Sequence, residues 1–194
     1  MVNDKVTVYS PIKKKFYTPK LVKEDYNLYP NNYINQKILM GDNSDNIPGV
    51  KGLGLKKLFK LFPELELRNY MWEHLASTLI GENNDQTFNI YNGNGSNGKS
   101  KLVELMSACL GDYKATVPIT LITAKRNSIG STSSEVVQLK GTRYAVMQEP
   151  SKGVKLNEGI MKELTGGDPI QARGLYSESE IFEPQFNLVV CTNN

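Results

Sequence analysis

Two rhythms of apolar and polar residues divide this chain. A weak two-residue alternation from Val6 to Tyr17, interrupted by Pro11 and the triplet Lys13-Lys14-Lys15, predicts a short exposed hairpin or extended arm. Lys20 to Tyr26 and Tyr33 to Met40 read as helices on either side of the turn Tyr29-Pro30-Asn31-Asn32. Gly41 to Gly54 is a glycine-rich turn region, and Leu55 to Phe62 is a short basic amphipathic helix that Pro63 stops. A longer helix, about Glu66 to Gly81, carries Leu67, Tyr70, Met71, Leu75 and Leu79 on one face. Beyond it the pattern changes. Thr87 to Tyr91 is a short β-prone run, and Leu102, Val103, Leu105, Met106 and Leu110 then recur at helical spacing. Thr116 to Thr123 is β-prone, Lys125 to Ser134 is a polar loop, and Arg143 to Met147 is an apolar strand. Asn157 to Leu164 is a helix, Gly166-Gly167-Asp168 a turn, and Phe186 to Cys191 another buried strand. Strands alternating with helices predict an α/β domain built on a parallel sheet.

Composition narrows this picture slightly. The apolar fraction of 39% supports a packed core. No stretch approaches the roughly 20 apolar residues of a membrane helix, so no membrane partner is expected. Met1 to Lys5 lacks the apolar segment of a signal peptide. Cys109 and Cys191 each sit in an apolar run and read as buried thiols, which suits a reducing, intracellular compartment. His74 has no cysteine or histidine at ligand spacing and reads as structural. Charge is uneven. Residues 1–66 hold eleven Lys against seven acids, a net of +4, and residues 67–194 hold twelve Lys plus Arg against thirteen, a net of −1. The front third is therefore the better nucleic-acid contact.

The sharpest local signal is Gly93-Asn94-Gly95-Ser96-Asn97-Gly98-Lys99-Ser100. It is a complete P-loop pattern lying between a predicted strand and a predicted helix, the context in which it has a mechanism. Backbone N–H groups of such a loop cradle the phosphates of a nucleoside triphosphate. Lys99 would reach the β- and γ-phosphates, and the Ser100 hydroxyl would hold Mg²⁺. Chemistry there also needs a carboxylate at the end of a neighbouring buried strand, which Glu149 supplies after Tyr144 to Gln148. Asn193 follows the second buried strand, where an amide could contact the γ-phosphate or orient water; alone it reads as a turn former.

From about residue 69 onward the chain resembles the helicase domain of the primase–helicases of large DNA viruses, the poxvirus-like group within superfamily 3. The stretches that carry the resemblance are N-Y-M-W-E-H-L-A-S-T-L-I-G, Y-N-G-N-G-S-N-G-K-S, V-P-I-T-L-I-T, R-Y-A-V-M-Q-E-P, L-N-E-G-I-M-K-E-L-T-G-G-D-P-I-Q-A-R and F-N-L-V-V-C-T-N-N. The resemblance implies an AAA+-like ATPase that uses ATP and Mg²⁺, assembles as a hexameric ring and translocates on single-stranded DNA. Lys99 and Ser100 match the Walker A pair, Glu149 the Walker B acid and Asn193 the sensor asparagine. Lys162 to Arg173 matches the region that projects toward the channel and DNA. It further implies action inside the host cell, in cytoplasm or nucleus, during viral replication. The family continues past the sensor into a last strand and an arginine finger, whereas this chain stops at Asn194. The core is therefore expected to be incomplete at its C-terminal end, leaving Thr87 to Tyr91 as an exposed edge and the isolated chain a weak ATPase.

The front third is similar to another family. Pro48-Gly49-Val50-Lys51-Gly52-Leu53-Gly54 has the form of a helix–hairpin–helix turn. The glycines of such a turn let backbone N–H groups approach a DNA phosphate. Gly49, Val50, Gly52, Gly54, Lys56 and Lys57 are the expected contacts, to duplex or junction DNA. With Asp42-Asn43-Ser44-Asp45 before it, the stretch resembles the 5′-nucleases, the flap endonucleases and phage 5′-exonucleases. Asp42 and Asp45 would match two ligands of the second metal there. That family needs further carboxylates from upstream strands, but only Asp4, Glu24 and Asp25 precede Asp42, so DNA binding without cleavage is expected. The domains implied are 1–66, a mainly helical DNA-binding module, and 67–194, the ATPase core. A natural fusion, an excerpt and a joined fragment all remain open as origins. Two rival readings stand beside a helicase core: a non-catalytic DNA-binding fragment, and a fragment of a 5′-nuclease.

Overall fold

The computed structural model describes residues 2–42, 47–48, 59–125 and 132–193. They form two compact units, Met1–Ser77 and Thr78–Asn194. The helix expected over Glu66 to Gly81 spans Leu65–Ser77, so it belongs wholly to the first unit, beyond the composition change at residue 66.

The first unit opens with an antiparallel hairpin, β1 (Val8–Ser10) and β2 (Lys15–Tyr17). Lys14, in the turn, takes a positive φ of 49°. Alternation along the strands puts Val8 and Tyr17 on one face and Tyr9 and Phe16 on the other, where their rings lie 4.8 Å apart. Helix α1 (Pro19–Tyr26) follows at once. The Thr18 hydroxyl accepts from the Leu21 N–H at 3.3 Å, and proline occupies the first turn, where its missing N–H costs nothing. Asn27 closes the helix in the left-handed conformation at φ 51°. Helix α2 (Asn32–Met40) packs against α3 (Leu65–Ser77). A buried amide pair joins them: Asn32 Nδ2 donates to Asn69 Oδ1 at 3.0 Å, and Asn69 Nδ2 donates to the Leu65 carbonyl at 2.7 Å. Gly41–Asp42 (β3) pairs antiparallel with Ile47–Pro48 (β4). The glycine-rich turn expected around Gly49, Val50, Gly52 and Gly54, its lysines Lys56 and Lys57, and Asp45 lie outside the described residues.

The second unit is a four-stranded parallel sheet, in the order β5 (Phe88–Asn92), β10 (Asn187–Thr192), β7 (Tyr144–Met147), β6 (Lys114–Val117). The chain leaves β5 at one edge, returns through helix α4 (Lys99–Leu110) to β6 at the far edge, and then fills the centre with β7 and β10. Apart from Asn187 at the start of β10, the buried positions of both central strands carry tyrosine or apolar side chains, as a sheet covered on both faces requires. Ala145, Met147, Leu188 and Val190 enter a core completed by Leu164, Ile170, Ala172 and Phe186. The alternate positions face the other way, where α4 packs on β7 and buries Leu102, Met106 and Leu110. β5 is an edge strand, and Ile90 on it is exposed.

Two elements differ from the sequence pattern. The β-prone run expected over Thr116 to Thr123 is strand only to Val117; Pro118 cannot donate to a ladder, and Thr120–Thr123 forms one helical turn (α5). A short helix α6 (Ser134–Val137) and helix α7 (Glu158–Thr165) follow. After α7 comes an unexpected antiparallel hairpin, β8 (Ile170–Arg173) and β9 (Ser179–Phe182). Ile170, Ala172 and Phe182 anchor it to the core, and Tyr176 at its turn is 97% exposed.

Candidate functional site

Strand order determines what meets at the carboxyl edge of this sheet. β5 and β7 both flank β10, in registers that put Asn92 beside Thr192 and Met147 beside Val190. The residues that follow these three strands are Gly93 to Gly98, Gln148 with Glu149, and Asn193. They are far apart in the chain and adjacent in space. In open α/β sheets the crevice beyond the carboxyl ends, where connections diverge, is the usual ligand site. Here it is a cleft of about 610 Å³, lined on one wall by Lys99, Ser100 and Val103 and on the other by Glu149, Cys191 and Asn193.

The glycine loop is shaped by its own close contacts. A side chain at Gly93 would put a Cβ 2.2 Å from Asn97 Nδ2. Gly98, at φ 90°, turns the chain into α4 in the left-handed conformation, and Ser96 at φ 62° does the same in mid-loop. Nothing lies within 4 Å of the Cβ position of Gly95. Lys99 curls back over the loop, donating to the Gly93 carbonyl at 2.6 Å, the Asn94 carbonyl at 3.4 Å and Asn97 Oδ1 at 3.1 Å. Its fourth acceptor is Asn193 Oδ1 at 3.0 Å. All four are neutral, so the ammonium keeps its full charge at the mouth of the helix N-terminus.

Asn193 faces a carboxylate on its other side. Its Nδ2 donates to Glu149 Oε2 at 2.9 Å, and its backbone N–H donates to Glu149 Oε1 at 3.1 Å. One amide thus separates a cation from an anion. Cys191 lines the same cleft; burial pushes its thiol up, and the Lys99 charge pulls it partly back. The structure therefore brings together Lys99, Ser100, Glu149 and Asn193 with the loop Gly93, Asn94, Gly95, Ser96, Asn97 and Gly98. Lys162, exposed in the last turn of α7, and Arg173, at the end of β8 with Nε on the Ser177 carbonyl at 3.1 Å, are not among the residues lining the cleft. Among the described residues no cluster of three or more His, Cys, Asp or Glu could hold a metal ion by itself. The pattern of single residues missed Thr116 and Lys114, which extend the cleft along β6; their polarity alone marks nothing.

No protein-family model matches the chain. It is 41% identical over 136 residues to "Putative helicase L207/L206" of Acanthamoeba polyphaga mimivirus, a match over 70% of this chain and 14% of that protein. It is 32% identical over 137 residues to "Putative helicase 022R" of Frog virus 3, covering 69% of this chain and 14% of that one. It is 29% identical over 140 residues to "Putative primase C962R" of African swine fever virus (isolate Warthog/Namibia/Wart80/1980), covering 72% and 15%. The chain thus spans about one seventh of the length of the viral proteins it matches. Among solved structures, two of the C-terminal region of NrS-1 superimpose with TM-scores of 0.53 and 0.51 at 14% and 13% identity. The first match covers 72% of this chain and 32% of that one. At that identity the likeness is one of fold. No described helix is long and apolar enough to cross a membrane.

Proposed function

We propose that residues 78–194 are the nucleoside-triphosphatase part of a helicase- or primase-related replication protein, coupling ATP hydrolysis to movement on single-stranded DNA. The observation that carries this is the run Lys99–Asn193–Glu149 across the carboxyl ends of three parallel strands, beside a glycine loop. The names of the viral relatives support the same role.

In this reading the loop N–H groups and Lys99 hold the β- and γ-phosphates of ATP. On arrival the ammonium exchanges its neutral acceptors for phosphate oxygens, a charge-assisted contact that is the stronger of the two. Glu149 then orients the attacking water and takes its proton, and Asn193 holds the carboxylate in place. The donor set suits Mg²⁺, because Ser100 and Glu149 present oxygen to one cleft and this ion takes one or two carboxylates plus phosphate rather than an all-protein cage. When bound, Mg²⁺ neutralises phosphate charge. Lys162 and Arg173, with the hairpin turn at Tyr176, form the proposed single-stranded DNA contact. A hexameric ring inside the infected host cell, and duplex or junction binding by the front third, complete the proposal. Asp42 and Asp45 are too few for the two-metal nuclease chemistry that their surroundings resemble.

Binding of a fluorescent ATP analogue and hydrolysis of ATP test this. Lys99→Ala should bind the analogue at least tenfold more weakly while keeping the parent circular dichroism spectrum. Glu149→Gln should retain the analogue and lose hydrolysis by about 10²-fold or more, the usual scale for a general base. Parent-level binding in the Lys99 variant would remove the phosphate site, and parent-level turnover in the Glu149 variant would reduce that carboxylate to a strand-end acid.

A further inference from the structure

The first unit has a cavity of its own, of about 330 Å³, at the lower end of the range of about 300–1,000 Å³ in which small-molecule sites fall. Its walls are Tyr17, Tyr26 and Tyr33 with Val2, Val8, Val22 and Pro30. Tyr26 is the hub: its ring centroid is 5.8 Å from that of Tyr17 and 5.8 Å from that of Tyr33. Lysines surround this cluster. The Lys13 ammonium lies 5.1 Å from the Tyr26 ring and 5.9 Å from the Tyr17 ring, and donates to the Tyr26 hydroxyl at 3.2 Å. Lys15 lies 5.0 Å from the Tyr17 ring and Lys37 lies 5.6 Å from the Tyr33 ring. Asp25 is the acid at this site, and it is engaged by Lys15 and by the Tyr17 hydroxyl. Lys13 has no carboxylate partner among the described residues. Residues 1–40 carry seven Lys and three acids.

We propose that this cavity takes one base of a single-stranded nucleic acid, with the flanking phosphates on Lys13 and Lys14. An apolar ligand would use the walls and leave the lysines idle. Tyr17 also packs in the core with Val22 and Leu28, and Tyr26 packs against it, but a purely charge-driven contact would leave the open faces of Tyr26 and Tyr33 beside the cavity unused. A nucleotide uses both: the base stacks on the phenol faces that the ammonium groups now cover, and those groups move outward to the backbone. Stacking on aromatic side chains tolerates any base, because every base has a π-face, so the site is indifferent to sequence. It belongs to the first unit and does not depend on the nucleotide cleft of the second.

The test uses the full chain without ATP, a strand of about ten thymidines, and a strand of equal length and charge whose sugars lack bases. Removing the bases should weaken binding on the order of tenfold, because the phosphate contacts are unchanged and the stacking is lost. A strand carrying 5-iododeoxyuridine should photocrosslink to Tyr26 or Tyr33. Tyr26→Ala should reduce the preference for the base-bearing strand and remove the crosslink to the first unit, Tyr26→Phe should keep both, and Lys13→Glu should weaken both strands. Equal affinity for the two strands, crosslinks confined to residues 78–194, or no binding at all would overturn the proposal. The abasic strand keeps it falsifiable even if Tyr26→Ala disturbs packing.

Discussion

An amide suits position 193 because its two neighbours make opposite demands. Lys99 can only donate and Glu149 can only accept, so a group with one acceptor and one donor end satisfies both without a proton moving. The same economy separates two glycines of the loop. Gly93 takes φ 158°, a conformation that strains any side chain, and a methyl there would also push the Asn97 amide off its 3.1 Å contact to Lys99. Gly95 meets nothing within 4 Å. Gly93→Ala should therefore lower the melting temperature and Gly95→Ala should not. If Gly95→Ala nevertheless weakens binding of the ATP analogue, the space beside Gly95 serves the ligand, as expected where phosphate must approach the backbone closely. A melting temperature that falls equally in both variants would refute the distinction.

Among the elements, α7 shows how one helix is closed at both ends by different physics. Asn157 accepts from the Ile160 N–H at 3.3 Å and starts it. Gly166 ends it, its N–H donating to the Lys162 carbonyl at 2.8 Å. A Cβ at Gly166 would lie 2.9 Å from that same carbonyl, which is backbone and cannot swing aside. At Gly159, in the first turn, a Cβ would meet only Asn157 Oδ1 at 3.4 Å. Gly166→Ala should then cost about 1–3 kcal/mol, the usual scale of overpacking. Gly159→Ala should stabilise by about 0.4–1 kcal/mol by restricting the unfolded chain. Urea unfolding measures both, and shifts of one sign would contradict the geometry. The hairpin β8–β9 lies next to α7 in the sequence, yet its pattern was not legible. Its alternation is only four residues long on each side, and its exposed partners Leu175, Tyr176 and Ile181 are as apolar as its buried ones.

For the whole molecule, every described residue lining the cleft at the carboxyl edge of the sheet belongs to the second unit. A fragment of residues 78–194 should therefore bind the ATP analogue within about threefold of the full chain, because it keeps every described residue that lines the cleft. Loss of more than tenfold would show that the first unit contributes to the site. The division of the chain was only partly visible beforehand. Net charge changes near residue 66, whereas the compact unit runs on to Ser77 because α3 packs against α2 through the Asn32–Asn69 pair.

The amino-acid sequence alone determined the parallel α/β character of the second unit and its glycine loop, because apolar runs and turn residues are local signals that need no partner. It also singled out Glu149 and Asn193 as residues at strand ends. It could not make them neighbours. That β10 inserts between β5 and β7, so that residues 99, 149 and 193 touch, is a matter of strand order, which depends on long-range pairing and the packing of α4. The tyrosine cavity likewise needed the fold. Tyr17, Tyr26 and Tyr33 are spaced without period, and only the turns after Tyr17 and Tyr26 bring their rings into one cluster.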